Sequence, residues 1–151
     1  MGLVPLQGAD LHGVDLRGAI FYRGCLPEAN LNGCNLEGAI LTRANLTGAT
    51  FREANLSRAL LDKVAARGTI FTRANLRYTL VREGDVKNAD FWRADAFQCN
   101  FNGSDLRGAD FRRAEVTGAD FRDADLPGEH TSRNHRGPYG VEPVAPALIV
   151  E

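Results

Sequence analysis

Large apolar residues recur along this chain at every fifth position, from Leu6 to Leu126, without one insertion. With that residue called i, all 25 positions are apolar: 13 Leu, 7 Phe, 3 Val and 2 Ala. Two residues earlier, from Val4 to Ala124, 15 of the 25 are Ala, and most others are small, such as Cys34, Cys99, Gly24, Gly84 and Ser104. A strand alternates with period two and a helix repeats near 3.6, so neither holds i on one side through so many words. A strand keeps i−2 and i on one face only if it turns once per word. Gly fills i+2 in 11 of the 25 words, where a turn with positive φ belongs. Pro27 and Pro127 both fall at i+1, again a turn position. Each word is read as a very short strand and a corner.

Corners at regular intervals wind the chain into coils, and stacked coils pair their backbones at roughly 4.8 Å to make a solenoid. Twenty residues is the longer period. At that spacing the outward i−1 position reads Ile20, Ile40, Leu60, Leu80, the i+2 position reads Arg23, Arg43, Lys63, and the interior reads Phe51, Phe71, Phe91, Phe111. One repeat dissents, because "FTRANL" at 71 matches "LTRANL" at 41 with a shift of thirty. Four words per coil predicts an all-β parallel β-helix of square section and about six coils.

The word A(D/N)Lxx, seen in Ala9-Asp10-Leu11, Ala29-Asn30-Leu31, Ala74-Asn75-Leu76 and Ala109-Asp110-Phe111, resembles that of the pentapeptide-repeat proteins, over residues 4 to 128. The resemblance implies a right-handed quadrilateral β-helix with i and i−2 filling the interior. Handedness comes from the resemblance alone.

The expected organisation is a β-helix over residues 1–128 and a linker with an apolar C-terminal tail over 129–151. Within the interior, Ala66 at i is offset by Val64 at i−2, which conserves the volume of that layer. At Ala96 no larger partner stands at Ala94, and Phe97 follows at i+1, outside the pattern, so a shallow defect is expected there. The tail "GVEPVAPALIVE" is apolar after the polar "EHTSRNHRGPYG", and Pro143 and Pro146 steer it away from helix. It has three places to go: over the last coil, along an apolar stripe, or onto a second subunit.

Charge is nearly balanced, with 18 Lys and Arg against 19 Asp and Glu, so composition declares no direct nucleic-acid partner and no membrane. No secretory apolar segment precedes the first word, no run approaches a membrane span, and the N-terminus lacks a myristoylation signal. A cytoplasmic location is the expectation. Cys34 and Cys99 occupy small inward slots, where free Cys packs as an apolar residue. Cys25, at outward i−1, is the one candidate for a reactive thiol.

No catalytic, cofactor or metal site is expected, because a filled solenoid offers no concavity for a constellation. His12 lies between Asp10 and Asp15 along an open surface. His130 and His135 fall in the linker with neither Cys nor paired carboxylates to complete a metal site. Asp and Asn at i−1, such as Asp90, Asp95, Asp105, Asp110 and Asp120, read as turn residues whose short side chains bond nearby backbone.

The resemblance also implies a partner, since some pentapeptide-repeat proteins protect DNA gyrase or related topoisomerases by mimicking duplex DNA with an acidic rod. This chain departs from that pattern. Residues 6 to 82 carry 6 acids and 10 bases, and 83 to 128 carry 10 acids and 6 bases, which confines mimicry of a polyanion to the C-terminal coils. The principal expectation is therefore a non-enzymatic scaffold for an unidentified protein partner, with modulation or protection of gyrase or topoisomerase as the alternative. Two outward stripes are candidates for contact. The first joins Ile20, Ile40, Leu60 and Leu80 to Tyr22 and the cations Arg23, Arg43 and Lys63, an apolar stripe with a charged rim. The second gathers Arg73, Trp92, Arg93, Arg112 and Arg113, whose like charges repel unless Asp90, Asp110 or a ligand neutralises them. The first stripe, alone or with the tail, is also the expected seam of a two-fold homodimer.

Overall fold

The computed structural model describes residues 5–126. The proposed linker and tail, with Pro127, His130 and His135, lie outside the described residues. Every backbone bridge joins an i−1 residue to the one twenty further on, in parallel, from Asp10 with Asn30 to Asp105 with Asp125. Four words therefore make one coil. The thirty-residue match between 41 and 71 is not a register, because one and a half coils places Leu41 and Phe71 on opposite walls.

The hydrogen bonds of a single word explain why five residues suffice. Leu46 N–H donates to Ala65 C=O in the following coil at 2.7 Å and Gly48 N–H to Arg67 C=O at 2.9 Å. Thr50 N–H donates to Ala29 C=O in the preceding coil at 3.0 Å, and Ala49 N–H closes the corner on Leu46 C=O at 2.9 Å. The remaining donor, Thr47 N–H, is taken by the Asn45 side chain at 3.1 Å. All five N–H groups are satisfied, as buried or packed backbone requires. The same side-chain bond from i−1 to the i+1 N–H recurs in words beginning at Asn30, Asn55, Asn75, Asp90 and Asp95. Where i−1 is Cys25 and has no such acceptor, i+1 is Pro27, which has no N–H to satisfy. Where i−1 is Thr50 or Leu80, the Arg52 and Arg82 N–H groups turn to Asn32 and Asp62 of the coil before.

The corner conformation is more uniform than its sequence. All described i+2 residues, from Gly8 to Asp123, have φ between 53° and 72°; ten are Gly and fourteen are not. A side chain in this region costs about 1–2 kcal/mol. It is held there by the corner bond and by the i+2 N–H bond to the next coil.

Inside, i and i−2 are buried from Leu26 to Phe111, while Leu6, Leu11, Leu16 and Phe21 at the first coil are only partly covered. Phe51, Phe71, Phe91 and Phe111 stack down one wall with centroids 5.3, 5.0 and 4.5 Å apart. Phe101 meets Phe91 and Phe111 edge-on from the opposite wall at 5.6 Å. Polar residues in the small inward slots each donate to a carbonyl of the coil before: Thr69 to Leu46 at 2.8 Å, Thr79 to Leu56 at 2.7 Å, Ser104 to Val81, and the Cys34 thiol to Leu11 at 2.9 Å. Volume is balanced between coils as well as within a word. A β-carbon at Gly84 would lie 3.3 Å from Val64 Cγ1 and 3.1 Å from Val81 O, so Gly84 accommodates the larger Val64 twenty residues before it. Ala94 and Ala96 are both fully enclosed, and Phe97 packs outside them.

Candidate interaction surfaces

Four words per coil give the rod four walls. The fourth, whose inward residues are Phe21, Leu41, Leu61, Val81, Phe101 and Phe121, carries the first stripe. Its i−1 residues Ile20, Ile40, Leu60 and Leu80 are consecutive bridge partners, so they form one unbroken apolar column along the rod. Ile20 is 73% exposed, and the other three are half-buried. Arg23, Arg43 and Lys63 line the next corner with positive φ. Arg23 lies 5.4 Å from the ring centroid of Tyr22, which is 47% exposed. Lys63 pairs with Glu83 at 3.1 Å, so the cationic rim ends where the apolar column ends.

The structure extends this surface around a corner that the stripe in sequence did not include. Tyr78, 46% exposed, stands at the corner two residues before Leu80. Its ring meets Phe97 edge-on at 5.8 Å, and Arg77 lies 4.4 Å from the Phe97 centroid. Arg58 lies 5.9 Å from Tyr78. The signal was present, since Phe97 and Tyr78 are aromatic residues at outward positions, but only the coil register shows them to be neighbours.

The second patch lies on the opposite wall, so the two candidate surfaces are separate. Arg73, Arg93 and Arg113 form one corner column at i+2, and Trp92 and Arg112 lie beside it at i+1. Arg73 pairs with Glu53 at 3.2 Å, and Arg112 grips Asp110 through two nitrogens at 2.9 and 2.6 Å. The expected neutralisation thus holds for Asp110. Asp90 makes no ion pair: its oxygens accept from Trp92 N–H at 2.8 Å and Thr72 Oγ1 at 2.9 Å, and its charge acts on Arg112 from a distance. Among the described residues, neither Arg93 nor Arg113 has a carboxylate partner.

Acids concentrate at i−1 in the later coils, and most are neutralised where they stand. Asp85 pairs with Arg67 at 2.5 Å, Asp95 with Arg77 at 2.9 Å, and Asp120 with Arg122 at 2.7 Å. Asp105 sits between Lys87 at 2.8 Å and Arg107 at 2.7 Å. The Arg107 hydrogen bond, with help from Lys87, holds the Asp105 carboxyl far below the usual carboxylate range. Arg17, Arg112 and Arg122 lower Asp15, Asp110 and Asp120 in the same way. In Asp95, Asp105, Asp110 and Asp120 the turn residue also pairs charge, one oxygen capping the i+1 N–H and the other meeting a guanidinium.

His12 lies on an exposed surface, where its backbone N–H donates to the Asp10 carboxylate at 3.1 Å. Among the described residues no three His, Cys, Asp or Glu side chains come together as a metal site needs. Burial pushes the Cys99 and Cys34 thiols up, away from the thiolate form that reacts; Cys25 is half-buried and free.

A thylakoid-lumen pentapeptide repeat protein of Arabidopsis thaliana is similar at 30% identity, over 71% of this chain and 68% of that one, with a TM-score of 0.37. Rfr23, a pentapeptide repeat protein of the cyanobacterium Cyanothece 51142, is similar at 22% identity, over 79% and 84%, with a TM-score of 0.44. QnrB1, a plasmid-mediated fluoroquinolone resistance protein, is similar at 23% identity, over 83% and 70%, with a TM-score of 0.43. No curated protein sequence matches the chain. The family model for pentapeptide repeats matches in eight copies from residue 6 to residue 128, and every described word within that span repeats the same corner. The chain belongs to the pentapeptide repeat family.

Proposed function

We propose that this chain is a non-enzymatic interaction scaffold: a right-handed quadrilateral rod of about six coils that binds a protein partner through its fourth wall. The observation that carries this reading is the apolar column of Ile20, Ile40, Leu60 and Leu80, continuous through consecutive bridges and enlarged by Tyr78 and Phe97. An exposed apolar surface with a cationic rim suits a protein interface. A rigid wall whose corners are fixed in every word meets its partner with little ordering cost.

Topoisomerase-directed DNA mimicry is the alternative, favoured by the acid-rich later coils. Mimicry needs uncompensated negative charge along the rod, whereas Asp85, Asp95, Asp105, Asp110 and Asp120 each hold a cation within 3 Å. The likeness to QnrB1 therefore does not outweigh the charge pairing.

The test uses the wild-type chain and the double variant Ile40→Asp, Leu60→Asp as baits in the source cell extract. The scaffold reading expects a protein held by the wild type and released by the variant, with both chains melting at the same temperature. It also expects no effect on gyrase. Inhibition of supercoiling, or protection against a gyrase poison at stoichiometric concentrations, would replace it with mimicry. Sedimentation of the same two chains addresses self-association. A wild-type dimer that the variant loses would make a second copy of this chain the partner of the stripe.

A further inference from the structure

The second wall carries an unbalanced charge that the scaffold reading does not use. Arg93 and Arg113 are successive members of one corner column, a single coil spacing of roughly 4.8 Å apart, and neither has a carboxylate partner among the described residues. Stacked like charges on neighbouring strands repel. Everywhere else on the later coils the chain answers a guanidinium with an acid, as Asp110 answers Arg112 and Glu53 answers Arg73. Of the two acids on the same wall, Asp110 is held by Arg112 and Asp90 accepts from Thr72 Oγ1 and Trp92 N–H. Trp92 stands directly beside the pair, half-buried, with the Arg93 guanidinium 4.5 Å and the Arg73 guanidinium 5.7 Å from its ring centroid.

We propose that this corner binds an acidic peptide segment of a protein partner, one carboxylate bridging Arg93 and Arg113 while the adjoining apolar side chain lies against Trp92. This rests on the scaffold reading and adds a second contact on the wall opposite the apolar column. Arginine side chains rooted one coil apart can each reach one oxygen of a single carboxylate, and charge-assisted bonds of this kind are the strong ones. An indole flanked by arginines is the composition of an interface hot spot. Nucleic acid is disfavoured by the surroundings. Asp90 on one side of the arginine column and Glu115 on the other have no ion-pair partner among the described residues, so a continuous phosphate backbone would meet carboxylates beyond the first contact. A peptide with isolated acids would not.

Trp92 is the only tryptophan in the chain, so its fluorescence reports from the corner itself. The full chain is titrated with a short capped peptide carrying one glutamate among leucine and serine residues, with the same peptide carrying glutamine for glutamate, and with an oligothymidylate. The expected result is a saturating change with the glutamate peptide alone. Its midpoint should rise at least about tenfold in Arg93→Gln, Arg113→Gln, and rise with salt as contacts between exposed charges do. Far-UV circular dichroism confirms that the variant is folded, and the single variant Arg113→Gln, remote from the indole stack, repeats the comparison if it is not. An equal response to the glutamine peptide, an unchanged midpoint in the folded variant, or tighter binding of the oligothymidylate would each overturn the proposal. Failure of the scaffold reading looks different. Partner capture would be insensitive to Ile40→Asp, Leu60→Asp, while the Trp92 response to the glutamate peptide stayed intact.

Discussion

Removing the ring of Phe91 tests whether this rod is held together by its interior columns. Phe91 is 1% exposed, stacks on Phe71 at 5.0 Å and Phe111 at 4.5 Å, and meets Phe101 edge-on at 5.6 Å. Truncating a buried Phe to Ala costs about 3–5 kcal/mol, the larger values where surroundings cannot collapse into the void. Here they are pinned. Phe91 N–H bonds Asp110 C=O at 2.8 Å, and Asp90 N–H bonds Thr69 C=O at 3.0 Å, so neither adjoining coil can close the gap without breaking its ladder. Aromatic pairs add about 0.5–1.5 kcal/mol beyond burial, which places Phe91→Ala near 4 kcal/mol. Phe91→Leu should cost only about 1.5 kcal/mol, because it refills most of the volume and Leu31 already occupies an equivalent place in this column. The exposed control Thr47→Ala should stay within about 0.5 kcal/mol. Urea unfolding followed by far-UV circular dichroism measures all three. A loss below about 1.5 kcal/mol for the alanine variant, or equal losses for alanine and leucine, would refute the claim that the aromatic column bears the stability of the middle coils.

Acid should loosen the rod through its paired aspartates. Asp15, Asp105, Asp110 and Asp120 are held below their ordinary range by guanidinium partners, so the unfolded chain binds more protons as pH drops. Their contribution is fully present above the ordinary Asp value of about 3.9 and drains away below it; thermal melts from pH 7 to pH 3 should be flat down to about pH 5 and then fall, and Asp105→Asn should shrink that fall. Asn75→Ala removes the acceptor for Arg77 N–H and the bond to Asn55, and should cost about 1–3 kcal/mol in urea unfolding, against a change near zero if the ladder is ornamental. At the corners the sign should depend on position: Arg43→Gly, at φ 61°, should stabilise by about 0.5–1 kcal/mol, while Thr42→Gly next to it should destabilise by a similar amount. Equal signs in the same unfolding assay would mean that the left-handed corner carries no strain.

Much of this architecture was legible in the sequence, because a solenoid repeats one local solution and the repeat itself announces it. The inward and outward assignments, the small i−2 slots and the turn role of the i−1 Asp and Asn residues all follow from a five-residue period. The apolar column of Ile20, Ile40, Leu60 and Leu80 was visible for the same reason. Other features depended on which coil lies over which. The corner φ is set by backbone bonds to the next coil, so fourteen side chains other than glycine adopt it, which glycine counting could not foresee. Gly84 answers Val64 across a coil, Tyr78 finds Phe97 across a coil, and Arg67 finds Asp85 eighteen residues away. Charge counting found ten acids against six bases at the C-terminal end, yet the stacking brings bases of earlier words onto those acids and leaves Arg93 and Arg113 on the opposite side of the balance. Composition along a chain sums charges by sequence distance, whereas a coil of twenty residues pairs them at about 4.8 Å, and only the second distance decides which of them remain available to a partner.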